Sequence, residues 1–313
     1  MLFAGNTAIK YNSKMSLAKP KISIIIGSYN QCNTLKKVLP FYESIETSPD
    51  IFEVIIVDSS STDGTQKFLE EYKPKFNFIY QIQENQGKAI ARNNAAKLAK
   101  GEILLITDSD MIPDKSFVQG HIDAHNEATK ECCFQGLAWN LESLDLPINH
   151  SNLKPQVATF PKHMSQLGWF YFLTGNVSLS KSLFDKQNGF NALFMGYGWE
   201  DLELGYRLSQ QKIPLYYLKT SINYHYHVIS KEEEIDRNIK KGESATIFLT
   251  LHPELKWFLG FNPISVWIFS QIKETSVIYK FFKQYFAKNN TSLLHKISFW
   301  FLKEFNYLKG ARQ

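Results

Sequence analysis

Cysteine is scarce in this sequence, which has three among its 313 residues: Cys32, Cys132 and Cys133. An odd number with two adjacent positions makes a poor disulfide framework, and the spacing lacks the pattern of a zinc site. We therefore exclude a disulfide-stapled secreted domain and expect three buried thiols in a reducing compartment.

Long apolar runs are lacking as well. The sequence contains no stretch of about 18 apolar residues, the length that a transmembrane helix requires. Near the N-terminus, Asn6, Lys10 and Lys14 interrupt the apolar segment that a signal peptide would need. We expect a cytoplasmic protein without a membrane-spanning helix.

The first 253 residues lack any excess of positive charge. Residues 254–313 contain nine Lys and Arg against three Asp and Glu, a net charge of +6, so the whole-chain charge of +5 leaves −1 for the rest. This distribution argues against a nucleic-acid-binding face in the main domain. It indicates that the C-terminal region meets an anionic surface.

Short apolar runs alternate with helical patterns in the first third of the chain. The runs are residues 21–28, 54–57 and 103–107, and the helical stretches are 34–42, 65–72 and 87–100. The alternation predicts an α/β fold with a mostly parallel, doubly wound sheet flanked by helices. Such sheets bind ligands at the carboxyl ends of their strands, where Asn30, Asp58 and Asp108 lie.

After Pro113 the alternation weakens. A helix is predicted over residues 114–130, in which His121 and His125 are four apart and are expected to be solvated. The polar, proline-containing residues 138–166 predict a long loop or lid. Later segments predict a strand-like stretch over 169–180, a helix over 199–210, strands over 213–218 and 221–227, a solvated helix over 231–241 and amphipathic helices from 257 onward.

The strongest local motif is the pair Asp108 and Asp110, which follows a buried strand. Two carboxylates one residue apart can both reach a divalent cation, and Mn²⁺ or Mg²⁺ takes such hard oxygen ligands together with phosphate oxygens and water. The alternative is a pair of acidic residues in a turn before Pro113. Asp-x-Asp alone does not decide between the two.

Other candidates for ligand binding lie near the other strand ends. Asp58 ends a strand, where its carboxylate can accept hydrogen bonds from a nucleobase or from ribose hydroxyls. Gly87 allows close backbone approach at a helix start, and Lys88 and Arg92 offer cations to phosphates. For each cation, an ordinary surface charge is the alternative.

An acidic helix start marks the second half of the chain. Asp201 is the candidate general base for an acceptor hydroxyl, Glu200 would bind acceptor hydroxyls, and Trp199 would pack against a sugar face. The alternative for the carboxylates is compensation of the helix dipole. Farther along, His225 and His227 point to one side of a predicted strand, and one of them could complete the metal site.

Several motifs in this order resemble family 2 glycosyltransferases of the GT-A fold. The donor-side matches are residues 23–30, 57–65, 85–93 and 108–110. Residues 198–203, together with Arg207, resemble the acceptor motif of galactosyltransferases and chondroitin-polymerase-like enzymes. The resemblance covers residues 21 to about 228. This sequence departs from the usual pattern at Gly27 and Ser28, which replace Pro-Thr, and at Ser59, where Asp or Asn is more common.

The resemblance implies an inverting, metal-dependent transfer of a hexosyl or N-acetylhexosaminyl group from a nucleotide-sugar, usually a UDP-sugar, to a hydroxyl of a glycan or lipid-linked acceptor. Asp201 is the implied base. His225 is the implied third metal ligand beside Asp108 and Asp110, with His227 as the fallback. The implied donor residues are Ser28, Tyr29, Asn30, Asp58, Gly87, Lys88, Arg92, Asp108 and Ser109. The acceptor candidates are Trp199, Glu200, Gly175 and Asn176.

We divide the chain into an N-terminal extension (residues 1–20), a catalytic domain (21–230, with a nucleotide-sugar half 21–112 and an acceptor half 113–230) and a basic, aromatic helical region (231–313). Basic aromatic helices lie in membrane interfaces, so we expect the last region to contact the inner face of an anionic membrane. The alternative is packing on protein.

Two other functions compete with glycosyl transfer in polysaccharide biosynthesis. A sugar-nucleotide pyrophosphorylase would need cations directly after the first strand, and residues 27–32 contain none. A non-catalytic scaffold of the same fold would not need Asp108, Asp110 and Asp201 together. Nucleic acid is not an expected partner.

Overall fold

The computed structural model describes residues 9–11, 19–141, 148, 153–155, 161–226, 229–288 and 292–312. The strands are β1 (Ile9–Tyr11), β2 (Ile22–Ser28), β3 (Phe52–Asp58), β4 (Asn77–Ile82), β5 (Ile103–Asp108), β6 (Met111–Pro113), β7 (Cys133–Asn140), β8 (Lys154–Pro155), β9 (Gln166–Leu167), β10 (Val177–Ser180) and β11 (Leu215–His225). The α-helices are α1 (Cys32–Val38), α2 (Thr65–Glu71), α3 (Lys88–Leu98), α4 (Phe117–Glu127), α5 (Lys181–Lys186), α6 (Glu200–Gln210), α7 (Lys231–Leu251), α8 (Pro263–Gln271), α9 (Val277–Ala287) and α10 (Leu293–Gly310). Short 3-10 helices occupy Leu39–Ser44, Trp169–Tyr171 and Pro253–Leu255.

The strands form one sheet in the order β1-β4-β3-β2-β5-β10-β7-β11-β6, with β8 beside β7 and β9 beside β11. The four strands β4, β3, β2 and β5 are parallel to one another. Every residue of β2 and β3 is buried, because helices cover both faces of this part of the sheet. The predicted parallel α/β arrangement is therefore confirmed here.

Two details of this half depend on packing. Strand β4 was not identified by its own sequence pattern, since Asn77 and Gln81 interrupt its apolar residues. Gly27 allows α3 to lie directly on β2, because a Cβ atom at this position would stand 3.3 Å from the Cβ of Ala91.

The second half of the sheet is mixed. Strand β10 is antiparallel to both β5 and β7, and β6 is antiparallel to β11. The predicted strand over residues 169–180 is confirmed only as β10, because Trp169–Tyr171 is a 3-10 helix whose Trp169 ring packs against Tyr206 at 5.1 Å. The two strands predicted over 213–218 and 221–227 form the single strand β11, with an irregularity between Leu218 and Ile222.

The expectation that His121 and His125 are solvated is wrong. His121 is fully buried, and its Nε2 and Nδ1 lie 2.8 Å from Asn176 Oδ1 and 2.8 Å from Ser178 Oγ. His125 Nε2 lies 2.9 Å from the same serine hydroxyl. The histidine side of α4 faces β10, so both imidazoles belong to a buried polar network. The expectation of buried, free cysteines is confirmed.

The chain divides into two compact units, Met1–Ala192 with Glu200–Val228 and Leu193–Trp199 with Ile229–Gln313. In the second unit α7 packs closely on α10, since a Cβ added at Gly242 would stand 1.9 Å from the carbonyl oxygen of Tyr307. Across the described part of the chain, we find no helix whose length and apolar character would let it cross a bilayer. The division at residue 230, the N-terminal extension and the two catalytic halves stay predictions.

Candidate active site

The ends of three parallel strands bring the donor-side residues together. In the register of the sheet, Ser28 of β2 lies opposite Asp58 of β3, and Gly27 lies opposite Asp108 of β5. Neighbouring strands are about 4.8 Å apart, so the backbones of the two aspartates lie roughly 10 Å apart on either side of one strand end. Strand order alone thus brings the two aspartates to the same edge of the sheet.

Asp58 is completely buried and is held within its own loop. Its Oδ2 accepts from Ser61 N at 2.9 Å, and its Oδ1 accepts from Ser61 Oγ at 2.5 Å. Burial raises the pKa of this carboxyl, and the hydrogen bonds from Ser61 oppose that effect. Ser61, outside the predicted set, therefore fixes the orientation of a predicted donor residue.

The segment after β2 is joined to the same loop. Asn30 has a left-handed backbone with φ of 51°; its N–H donates to Ser61 Oγ at 2.7 Å, and its Oδ1 accepts from Thr62 N at 2.9 Å. Ser28 is buried, whereas Tyr29 is 50% exposed. Of these three predicted donor residues, Tyr29 and Asn30 are exposed and Ser28 is not.

Arg92 lies at the centre of the site. It is fully buried, and its Nη2 donates to Asp108 Oδ1 at 2.5 Å while its Nη1 donates to Glu200 Oε1 at 2.9 Å. Lys88 donates to the same Asp108 oxygen at 3.2 Å. Burial disfavours the charged Asp108, but the positive charges of Lys88 and Arg92 more than offset this and lower its pKa.

The ion pairs of Arg92 limit the predicted contact between this residue and a phosphate. Its guanidinium already joins a donor-side carboxylate to an acceptor-side carboxylate, so direct phosphate contact would require one of these ion pairs to open. Lys88 is the more accessible cation, with 42% of its side chain exposed. Gly87, with φ of 87°, immediately precedes α3 and adopts a backbone that L residues rarely take.

Asp110 and His225 also face each other. Strand β6 pairs with β11 so that Met111 lies opposite His225, and this brings Asp110 Oδ2 to 3.5 Å from His225 Nε2. His225 Nδ1 lies 3.1 Å from Asn140 Oδ1. Burial disfavours the protonated imidazole, but Asp110 more than offsets this and raises its pKa.

These residues fit a divalent cation in part. A carboxylate oxygen and an imidazole nitrogen 3.5 Å apart can bind one ion, and the contact with Asn140 holds the ring in place, as outer partners of metal-binding histidines do. The described hydrogen bonds of Asp108 both end on Oδ1. Over the described ranges, no three His, Cys, Asp or Glu side chains are close enough to form a complete metal cluster. Ser109 is buried beside these residues, and His227 lies outside the described residues.

The acceptor-side carboxylates occupy the first turn of α6. Asp201 Oδ1 accepts from Leu202 N at 2.8 Å. Burial, followed by the negative charge of Glu200, raises the pKa of Asp201 to about 7, against the opposing charge of Arg92. A carboxyl with such a pKa can accept a proton near neutral pH. Farther along the same helix, Glu203 and Arg207 form an i, i+4 ion pair at 2.9 Å.

The remaining acceptor candidates are not all exposed. Asn176 is fully buried; its Nδ2 donates to the carbonyls of Leu137 and Ser221 at 3.1 and 3.2 Å, and its Oδ1 faces His121. Contact with an acceptor through this amide would break those bonds. The Gly175 carbonyl accepts from Thr107 Oγ1 at 2.8 Å and from Asn223 Nδ2 at 2.6 Å.

Trp199 belongs to the second unit. Its Nε1 donates to the carbonyl of Lys241 at 3.0 Å, and its ring packs edge-on against Phe248 at 6.0 Å. Its φ of 74° is unusual for a residue with a large side chain. The role of Trp199 as a sugar platform stays a prediction.

Asn140 and Ser61 were missed by sequence reasoning. Asn140 ends β7 at the start of a polar segment, and nothing in the local pattern distinguishes it from a loop residue. Ser61 is one of three consecutive serines, and the sequence does not show which of their hydroxyls donates to Asp58. Their contacts arise from pairing with β11 and from the turn after β3.

Comparison with known proteins agrees with this arrangement. The family model described as glycosyl transferase family 2 matches residues 23–187, more than half of the chain. The chain belongs to glycosyl transferase family 2. A second model, described as the N-terminal domain of galactosyltransferase, matches residues 155–231 and includes Glu200 and Asp201.

Relatives of this chain include a glucosyltransferase and a chondroitin synthase. The chain is 29% identical over 273 residues to validoxylamine A glucosyltransferase of Streptomyces hygroscopicus subsp. limoneus, covering 76% of this chain and 59% of the relative. It is 26% identical over 264 residues to chondroitin synthase of Pasteurella multocida, covering 72% of this chain and 26% of that protein. The match thus spans about three-fifths of the length of the glucosyltransferase.

Solved glycosyltransferases share the fold. Staphylococcus aureus TarS 1-349 in complex with UDP-GlcNAc superposes with a TM-score of 0.57 at 16% identity, covering 93% of this chain and 90% of that one. Mannosyltransferase PcManGT from Pyrobaculum calidifontis in complex with GDP-Man and Mn²⁺ gives a TM-score of 0.56 at 17% identity, covering 95% and 87%. The family 2 resemblance and the GT-A fold are confirmed.

Proposed function

We propose that this chain transfers a sugar from a UDP-sugar to a hydroxyl of a glycan or lipid-linked acceptor, with inversion at the anomeric carbon. The observation that carries the proposal is Asp201. It lies directly after Glu200, which Arg92 joins to Asp108 at the end of β5. A carboxyl whose pKa is raised to about 7 thus lies one residue from the carboxylate that is linked to the donor-side crevice.

In the proposed reaction Asp201 accepts the proton of the acceptor hydroxyl as that oxygen attacks the anomeric carbon. The bond between this carbon and the diphosphate oxygen breaks, and the electron pair leaves with the nucleoside diphosphate. A single displacement inverts the configuration. Glu200 and Arg92 hold the helix start at which Asp201 lies, so the base is oriented before the acceptor binds.

The donor is proposed to lie across the ends of β2, β3 and β5. Asp58 would accept hydrogen bonds from the nucleobase, and Lys88 would neutralise a phosphate. Asp110 and His225, with Asp108, would hold Mn²⁺ or Mg²⁺, which supplies charge neutralisation for the departing diphosphate. We propose Arg92 as a positioning residue, since its guanidinium is bound to two carboxylates.

Relatives support the substrate classes without fixing them. TarS was solved with UDP-GlcNAc and PcManGT with GDP-Man and Mn²⁺, so both a uridine and a guanosine donor occur on this fold. Relatives named chondroitin synthase and hyaluronan synthase favour a role in polysaccharide biosynthesis. The predicted membrane contact of the C-terminal region is independent of this chemistry.

The test is transfer by Asp201→Asn across a panel of nucleotide-sugars with Mn²⁺ or Mg²⁺. Loss of a general base lowers turnover by about 10²–10⁴-fold, and we expect the affinity for the nucleoside diphosphate to change little. Asp185→Asn is the matched control, because Asp185 is an exposed helical aspartate that pairs with Lys181 at 2.7 Å on the same helix.

Undiminished transfer by Asp201→Asn would remove Asp201 as the base. If the unaltered chain neither transfers nor hydrolyses any nucleotide-sugar but still binds one, the non-catalytic scaffold becomes the better explanation. Formation of a nucleotide-sugar from a sugar phosphate would favour the pyrophosphorylase.

A further inference from the structure

The second unit exposes apolar side chains that a water-facing helix would normally turn inward. Helix α8 contains no charged residue, yet Ile264 and Trp267 are 68% and 66% exposed. A helix that is apolar on all sides is ordinarily buried in protein or in lipid. Something other than water is therefore expected to cover α8.

Helix α10 continues this surface. Leu293, Ile297 and Trp300 are exposed at 74%, 41% and 59%, and their i, i+4, i+7 spacing puts them on one stripe. The opposite side of α10 is occupied, since Phe301 and Phe305 are buried among the other helices. The exposed stripe is thus an additional apolar surface, separate from the core of the unit.

Ring contacts join the three helices. Trp300 of α10 meets Phe269 of α8 at 6.4 Å, and Phe301 of α10 stacks on Phe282 of α9 at 4.2 Å. On α9, Val277 is 84% exposed and Phe281 is 43% exposed. We define the apolar patch as the side chains Ile264, Trp267, Val277, Phe281, Leu293 and Trp300.

Positive charge without a compensating carboxylate lies on the same helices and their flanks. Lys273, Lys280, Lys283 and Lys296 are exposed, and within the described residues none of them has a carboxylate partner. Glu274, by contrast, is bound to Lys309 at 2.6 Å. The charge of Glu274 is neutralised within the protein. The four lysines are therefore available to bind an anionic partner outside it.

Charge decides among the occupants of the patch. A second copy would bring the same net charge of +6 from residues 254–313 against itself, and like charges disfavour such a pair. An anionic lipid surface offers hydrocarbon to the apolar side chains, an interfacial layer in which tryptophan is favoured, and headgroups for the lysines.

We propose that helices α8, α9 and α10 bind the surface of an anionic phospholipid bilayer, with the apolar patch inserted among the headgroups. Not every apolar side chain of these helices is available for this contact: Phe286 and Phe301 are buried, whereas Ile264, Val277 and Leu293 are exposed. The proposal of membrane binding is argued only from the exposed apolar and basic residues. The purpose of the binding, access to a membrane-borne acceptor, rests on the proposed transfer reaction.

The test is flotation of the full chain with phosphatidylcholine vesicles, with and without phosphatidylserine. We expect binding only to the vesicles that contain phosphatidylserine, and weaker binding as salt is raised. Trp267→Ser combined with Trp300→Ser should lower binding at least tenfold. Lys280→Gln combined with Lys283→Gln should lower it about fivefold per lysine and reduce its salt dependence.

Matched controls lie in the first unit. Ile51→Ser removes an apolar side chain that is 39% exposed, and Lys67→Gln with Lys73→Gln removes two other lysines. These variants should float like the unaltered chain. Thermal melting of each variant verifies that its fold is retained.

Absence of flotation by the full chain with phosphatidylserine vesicles would overturn the proposal. A dimer in solution that is lost in Trp267→Ser/Trp300→Ser, without vesicle binding, would show instead that a second copy covers the patch. Transfer to a soluble acceptor is measured in the same variants. Because it should be unchanged, failure of the membrane proposal and failure of the transfer proposal give different results.

Discussion

A buried arginine between two carboxylates is the residue on which the candidate site depends most. Arg92 lies in α3, a helix with both polar and apolar residues, and it is fully buried although it carries a charge. Its burial is tolerated because Asp108 and Glu200 both accept from it, and Phe190 covers its guanidinium at 5.5 Å. Removing one member of such a cluster leaves the others charged and out of water.

We predict that Arg92→Met lowers the free energy of unfolding by about 3–5 kcal/mol, since the buried Glu200 and the partly buried Asp108 lose their shared cation. Urea denaturation measures the change. Lys97→Met on the same helix is the control and should cost less than about 0.5 kcal/mol, because Lys97 is exposed. Equal losses in the two variants would show that the cluster contributes nothing particular to stability.

Asp201 leads to a prediction about the pH dependence of the rate. Because burial and the charge of Glu200 raise its pKa to about 7, the fraction of Asp201 able to accept a proton increases as the pH rises through neutrality. The turnover rate at saturating donor should therefore rise with pH, with a midpoint near 7, and then level off. Glu200→Gln removes the neighbouring negative charge and should move the midpoint to lower pH. A rate that is already level at pH 5 would contradict this.

At the scale of elements, the helices and parallel strands of the first half follow from the periodicity of the sequence. Which side of each helix is buried does not follow from it. The pattern of α4 predicted a helix and placed His121 and His125 on its solvated side. In the structure this side packs against β10, where Ser178 and Asn176 supply the hydrogen bonds that two imidazoles need. A polar residue on a helix indicates solvent only when no buried polar partner faces it.

This packing predicts acid sensitivity. Burial lowers the pKa of His121 to about 4 and that of His125 to about 3, both below the ordinary value of about 6.5. The unfolded chain therefore binds more protons than the folded one as the pH falls below 6.5, and stability decreases from there toward pH 4. His121 alone accounts for at most roughly 3 kcal/mol of this decrease.

The measurement is urea denaturation at neutral pH and near pH 4.5. We expect a marked loss of stability at the lower pH in the unaltered chain and a smaller loss in His121→Gln. His163→Gln is the control, because it removes an exposed histidine from the same unit. If His121→Gln and the unaltered chain lose equal stability, the buried histidines are not responsible.

On the scale of the whole molecule, charge and apolar exposure are distributed unequally. The excess positive charge lies in residues 254–313. Among the described residues, the five most exposed large apolar side chains lie in the same region: Trp257, Ile264, Trp267, Val277 and Leu293. The carboxylates and the cations Lys88 and Arg92 of the candidate active site all lie in the first unit. One chain therefore carries a polar site suited to a nucleotide-sugar and, elsewhere, a basic apolar surface suited to lipid.

The sequence by itself determined the alternating α/β order and the convergence of Asp58 and Asp108. Both are local properties: a strand is encoded by consecutive apolar residues, and parallel strands necessarily end at one edge of the sheet. Tertiary structure alone decided the partners of Arg92, the burial of His121 and which aromatic residues of the C-terminal helices face outward. Those outcomes depend on groups distant in sequence, since a charge or an imidazole is buried only where another segment supplies its hydrogen bonds.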